Sequence, residues 1–334
     1  MSPSLGVSST STVGIAAALF AALTWSMNFV APLVIGDFTI YDLAACRFII
    51  SGLIGVSILA IRSKGVRGLV LQDWVAAAAI GFIGYVGYFM AVMIAATYAG
   101  PVIAPAFLGL VPVILAISGN LGGGTLWRYL YLPFGMAATG LILVNVQTLT
   151  LPVHTPISTL LLGVAASISA VALWTWFGLA NQKALARRPS MDAWVWTALM
   201  MIGGSVQTLV AIPLGMQLGV FTIGEAGLHL DINTATHLLL PAAMLAVVAS
   251  ILGAGAWTIA SQRLPITLAS QLLSMEMVFA TCLGLAFHHR YPTVPEAIGI
   301  GLIVLGVVKG VGAFSRKRPE GCALVGVTHV DRVQ

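Results

Sequence analysis

The stretch ITLASQLLSMEMVFATCLGLAF, Ile266–Phe287, decides the fold class. It is apolar over the ~20 residues that a helix needs to cross a bilayer core. Yet it holds a carboxylate near its middle: Glu276 lies roughly 15 Å from either end at about 1.5 Å per residue. A charge at that depth is costly, so one that is present faces a partner, a water-filled cavity or a substrate. Working outward, comparable apolar stretches recur along the chain. The expected spans are 13–34, 42–61, 74–97, 101–119, 129–147, 157–179, 193–217, 236–260, 266–287 and 295–314. Away from their ends these ten stretches carry only Arg47, Glu276 and Lys309 as charged side chains.

Composition agrees. The 334 residues are 59% hydrophobic and 7% charged, where a soluble domain carries about a quarter charged residues. Spans and short loops consume nearly the whole chain, which leaves no room for a separate soluble domain. The net charge of +5 is not a nucleic-acid signature, because the basic residues gather in loops on one side. Three cysteines, Cys46, Cys282 and Cys322, make no disulfide framework. The N-terminal MSPSLGVSSTSTVG lacks a basic n-region, so the first span is expected to act as an uncleaved signal anchor.

Charge asymmetry sets the orientation. Arg62, Lys64, Arg67, Arg128, Lys183, Arg187, Arg188, Arg263, Arg316, Lys317, Arg318 and Arg332 all fall on one side of a ten-span arrangement, and Arg290 alone falls on the other. Twelve against one puts both termini in the cytoplasm. The expected fold is therefore an all-α integral membrane protein of ten transmembrane helices.

Two halves are visible within it. ALTWSMNFVAPLV from Ala22 compares with ALWTWFGLANQKAL from Ala172, and Asp42 and Asp192 open the following spans at the same offset of 150. AATYAGPVIAPAFLGLVPV from Ala95 compares with IASQRLPITLASQLLSMEM from Ile259 at an offset of 164, which matches Pro101 to Pro265 and Pro112 to Glu276. Five spans is an odd number, so two such halves must lie inverted in the membrane. The expected organisation is a first five-helix repeat over 1–150, a second over 151–315, and a basic cytoplasmic tail over 316–334.

At this point the chain resembles the drug/metabolite transporter superfamily, specifically its EamA-type members. The residues that carry the resemblance are ALTWSMNF (from Ala22), LAACRFIISGLI (from Leu43), AATYAGPVIAPAFLGLVPVILAI (from Ala95) and SQRLPITLASQLLSMEMVFA (from Ser261). Family members often carry Glu-Pro in span nine; here Met277 follows Glu276. The resemblance implies a secondary transporter that moves a small organic metabolite, an amino acid or drug-like solute, outward by alternating access, from a multi-pass position in a bacterial inner membrane. It also implies that spans one, three, four, six, eight and nine surround a central cavity, which makes Trp174 and Trp257 candidates to line it.

Read from the residues themselves, Glu276 is either a proton-coupling carboxylate, exchanging a proton as the cavity opens to each side, or a substrate-binding one; the bland alternative is a structural carboxylate. Gln271 shares its helix as a weaker candidate. Trp25 and Asn28, like Tyr85 and Tyr88, are three residues apart, so each pair faces one way. Pro101, Pro105 and Pro112 interrupt span four, and each interior proline frees a carbonyl that needs another partner. Arg47, near the outer face, either snorkels or pairs with Asp42, a structural role with gating as the alternative. Gly306 and Gly310 favour close helix packing, with a homodimer open beside the monomer. No histidine pair has metal-ligand spacing inside a span, and Gly119–Thr125 lacks the GK[ST] ending of a phosphate loop. No cofactor, metal or nucleic acid is expected; the partners are a small-molecule substrate, the lipid bilayer and protons. The competing classes are an integral-membrane lipid-modifying enzyme, for which convergent catalytic groups are missing, and a non-transporting receptor or assembly subunit.

Overall fold

The computed structural model describes residues 9–108, 110–121, 130–146, 156–222 and 231–315. Arg128, His154, Glu225, His229, Cys322, His329, most of the glycine run before Thr125 and the basic tail lie outside the described residues. Everything regular among the described residues is helical. The helices that matter here are α1 (Ser9–Ser26), α2 (Ile40–Ile61), α3 (Leu71–Gly81), α4 (Tyr88–Leu108), α5 (Val111–Asn120), α6 (Tyr131–Val144), α7 (Ile157–Arg187), α8 (Ala193–Gln217), α9 (Leu240–Leu245), α10 (Ala254–Arg263), α11 (Ile266–Leu273), α12 (Met275–Phe287) and α13 (Val294–Ser315).

Eight helical stretches among the described residues are long and apolar enough to cross a membrane, and α5 and α6 are shorter apolar helices at the fourth and fifth expected spans. The fourth differs from expectation for a backbone reason. Helix α4 does not end near residue 97 but continues to Leu108, carrying the backbone of Pro101 and Pro105 within it. Their side chains lie outside those described. The break falls instead before Val111, and the buried Pro112 occupies the first turn of α5, where its missing N–H is not needed.

The scarce carboxylates serve mainly as helix caps. Asp42 and Thr39 form a reciprocal capping box, with Asp42 Oδ2 accepting from the Thr39 N–H at 2.9 Å. The same oxygen accepts from the Thr222 N–H at 3.2 Å, which ties the start of α2 to the chain after α8. Asp192 accepts from the N–H groups of Trp194 and Val195 at the head of α8. Glu296 accepts from the Thr293 N–H at 2.8 Å and forms a two-pronged pair with Arg290. Each cap satisfies donors that a helix start leaves open.

Packing pairs α2 with α8, α6 with α13, α5 with α11, α4 with α7, and α1 with α10. Glycines allow the closest approaches. A Cβ on Gly140 would stand 2.6 Å from the Gly299 carbonyl oxygen, and one on Gly306 would stand 2.9 Å from that of Pro133. The small-residue face of α13 is thus engaged with α6 inside the chain, while Lys309 beside it is exposed.

Short 3-10 turns follow α1, a π-helical segment at Ala235–Leu239 precedes α9, and two further segments depart from α-helical geometry near the bundle centre. Phe82–Gly87 and Ala246–Gly253 are π-helical. Such widened turns redirect side chains and gather at functional sites. Both flank the aromatic centre of the bundle.

Candidate functional site

The rings come from five separate elements. Trp25 closes α1, Tyr85 sits in the first π-helical segment, Tyr88 opens α4, Trp174 and Phe177 belong to α7, and Trp257 to α10. Trp25 meets Trp174 edge-on at 5.2 Å between centroids and Trp257 at 5.7 Å. Trp174 continues the chain of contacts to Tyr88 at 4.7 Å and to Phe177 at 5.1 Å, and Phe177 reaches Tyr85 at 5.4 Å. These separations lie in the favourable range for aromatic pairs. The five ring residues singled out in the sequence therefore form one cluster.

Local backbone explains why the rings can converge. A Cβ on Gly84 would collide with the Phe177 ring, and one on Gly253 would stand 2.9 Å from Trp25 Nε1. Trp25 is further held by donation of its indole N–H to the Ala249 carbonyl at 3.0 Å.

Several polar atoms in this cluster lack partners. Among the described residues, the Tyr85 hydroxyl and the indole nitrogens of Trp174 and Trp257 are buried without a hydrogen bond. Buried polar groups are nearly always satisfied in native structures, so each of these three atoms calls for a ligand or water partner.

The two central charges lie at the borders of the rings. Tyr88 is within electrostatic range of Glu276, and Tyr85 is within range of Arg47. Glu276 is half-buried and makes no hydrogen bond or ion pair among the described residues. Its helix is interrupted despite having no proline. α11 ends at Leu273, Ser274 makes a tightened turn, and α12 restarts at Met275 with Glu276 in its first turn. The positive end of the new helix favours an anionic side chain there.

Arg47 does not pair with Asp42. Its Nε donates to Ser250 Oγ at 2.8 Å and its Nη1 to Asn28 Oδ1 at 2.7 Å. Gln271 is oriented elsewhere: it donates to the Pro133 carbonyl at 3.3 Å and packs where Gly310 makes room, so it joins α11 to α6 and α13. Pro112 contributes helix geometry and no polar atom.

Two participants were missed in the sequence. Phe177 stands three residues beyond Trp174, the same spacing that flagged Trp25 with Asn28 and Tyr85 with Tyr88, and was open to the same inference. Ser250 has no local signal, because its partner Arg47 lies 203 residues away.

A helical bundle of this kind, with eight apolar stretches of membrane-crossing length among the described residues and a buried aromatic centre, is that of a multi-pass membrane protein. Residues 161–309 match the EamA-like transporter family, in agreement with the resemblance in the motifs. The inner membrane protein YtfF of Escherichia coli (strain K12) is 26% identical over 326 residues, spanning 92% of this chain and 96% of its own. A protein of known crystal structure, 18% identical, superposes with a TM-score of 0.71 over 92% of this chain and 99% of its own, a likeness of fold.

Proposed function

We propose that the chain is a secondary active transporter of a bacterial inner membrane, exporting a small organic solute by alternating access, with Glu276 as its proton-coupling carboxylate. The observation that carries this reading is the ring cluster, assembled from five elements and left with unpartnered buried polar atoms. Aromatic walls with few charges suit an amphipathic organic solute better than an inorganic ion. The outward direction rests on the family resemblance.

The reading includes ten spans in two inverted five-helix halves, 1–150 and 151–315, with both termini and the tail 316–334 in the cytoplasm. Three structural correspondences support the halves. The two π-helical segments that flank the rings begin at Phe82 and Ala246, separated by the same offset of 164 that relates Pro112 to Glu276, whereas the third, Ala235–Leu239, has no such counterpart. Pro112 and Glu276 each occupy the second position of a helix that restarts after an interruption. Exchange of the halves also maps the α4–α7 contact onto α10–α1, and returns α2–α8 and α6–α13 to themselves. Interrupted helices at a repeat interface are where transporters build midplane sites.

The test is uptake into proteoliposomes of an amino-acid and cationic-drug panel, with and without an imposed pH gradient, for wild type and Glu276→Gln. Gradient-driven uptake that disappears in a folded E276Q protein is the expected result. Uptake unchanged by the substitution would remove Glu276 from the coupling step.

A further inference from the structure

Arg47 is buried, 8% exposed, and its charge is not neutralised by protein. Among the described residues no carboxylate lies within ion-pair distance of it; Asp42, on the same helix, caps α2 instead. Its hydrogen-bond partners, Asn28 and Ser250, are both neutral. A guanidinium offers five N–H donors, and these two contacts engage one N–H each. A buried cation in this state is expensive unless a counter-charge reaches it.

Its location says what that counter-charge would belong to. Asn28 lies three residues beyond Trp25, and Ser250 adjoins Ala249, whose carbonyl accepts the Trp25 indole N–H. The guanidinium therefore borders the ring cluster through the two segments that hold Trp25. The unpartnered polar atoms in that cluster are an indole N–H on Trp174, another on Trp257, and the Tyr85 hydroxyl. An indole can only donate and a phenol can donate. These unpartnered groups can all donate, and the one carboxylate at the rings, Glu276, borders Tyr88, whereas the guanidinium lies beside the segments that hold Trp25 and has only neutral partners.

We propose that Arg47 is a substrate-binding and specificity-determining residue, and that the solute carries a carboxylate which docks on its guanidinium while an apolar body lies among the rings. This rests on the transporter reading and replaces the structural role expected from sequence. Guanidinium and carboxylate match in shape and form strong charge-assisted hydrogen bonds.

The test is binding of 3-phenylpropionate and 3-phenylpropylamine to the full chain in nanodiscs, read by tryptophan fluorescence, for wild type, Asn28→Asp and Arg47→Gln. The two probes share a body and differ in the charged end. Asn28→Asp places a built-in carboxylate against Arg47, so it competes for the site without deleting a buried partner. Wild type is expected to bind the carboxylate probe, and N28D to weaken it about tenfold or more with undiminished thermal stability and unchanged amine binding. R47Q, where it folds, is expected to lose the carboxylate probe alone. Failure of wild type to bind 3-phenylpropionate, equal affinity in N28D, or an equal loss of both probes would each overturn the proposal. None of these results touches the transporter reading, which stands or falls on flux.

Discussion

Trp25 illustrates how single residues hold the centre together. Its ring contacts bridge Trp174 and Trp257, and its N–H anchors the Ala249 carbonyl. Trp25→Phe keeps an aromatic ring but deletes that bond, so a loss of about 1 kcal/mol of stability is expected, visible as a small fall in unfolding temperature in detergent. A fall no larger than that of a lipid-facing control substitution would count against the anchor. At this scale the sequence was informative wherever a residue was unusual for its surroundings. Glu276 and Arg47 stood out as charges inside apolar stretches, and Trp25, Tyr85 and Tyr88 by their pairing at three-residue intervals. Asn28 was identified, but its partner was not, because the Asn28–Arg47 contact depends on how the segment after α1 meets α2. Gln271 was placed with the site by helix membership alone, and packing against α6 and α13 took it elsewhere.

Helix ends show a second level of control. Asp192 satisfies two N–H groups of α8 and also pairs with Arg62 at the end of α2. The cap should matter more than the ion pair. Asp192→Ala is expected to cost about 1 kcal/mol, and Arg62→Ala less, because both side chains of that pair are partly exposed and surface ion pairs contribute little. Comparing the two unfolding temperatures checks this; a larger effect for R62A would reverse the assignment. A glycine gives a sharper case. Gly84→Val would drive a side chain into Phe177, so it should lower the yield of folded protein, whereas the same change at Gly135, where a Cβ meets nothing within 4 Å, should not. Element existence was legible in the apolar periodicity and length. Of the three prolines in span four, the helix accommodates Pro101 and Pro105 and breaks just ahead of Pro112, whereas the break at Ser274 was not legible, because Ser274 carries no breaker signal at all.

For the whole molecule, the twelve-to-one distribution of basic residues makes a topological prediction. In a background without native cysteines, Tyr291→Cys, at a position 92% exposed, should react with an impermeant maleimide on intact cells. Ser190→Cys, also exposed, should react only after permeabilisation. The opposite pattern would invert the chain in its membrane. Charge distribution carries this information because it reflects insertion, whereas solute identity depends on cavity shape and a few contacts that converge from distant segments. The central claim, that the ring cluster is the transport site, is tested most directly on one helix. Trp174, 7% exposed, lies in the cluster, and Trp176, 60% exposed, faces away from it. Uptake of the same solute panel should be measured in proteoliposomes for Trp174→Leu and Trp176→Leu, with folding verified. A loss of roughly tenfold or more in W174L with wild-type flux in W176L is expected, whereas undiminished flux in W174L, or an equal loss in both, would contradict the assignment of transport to the rings.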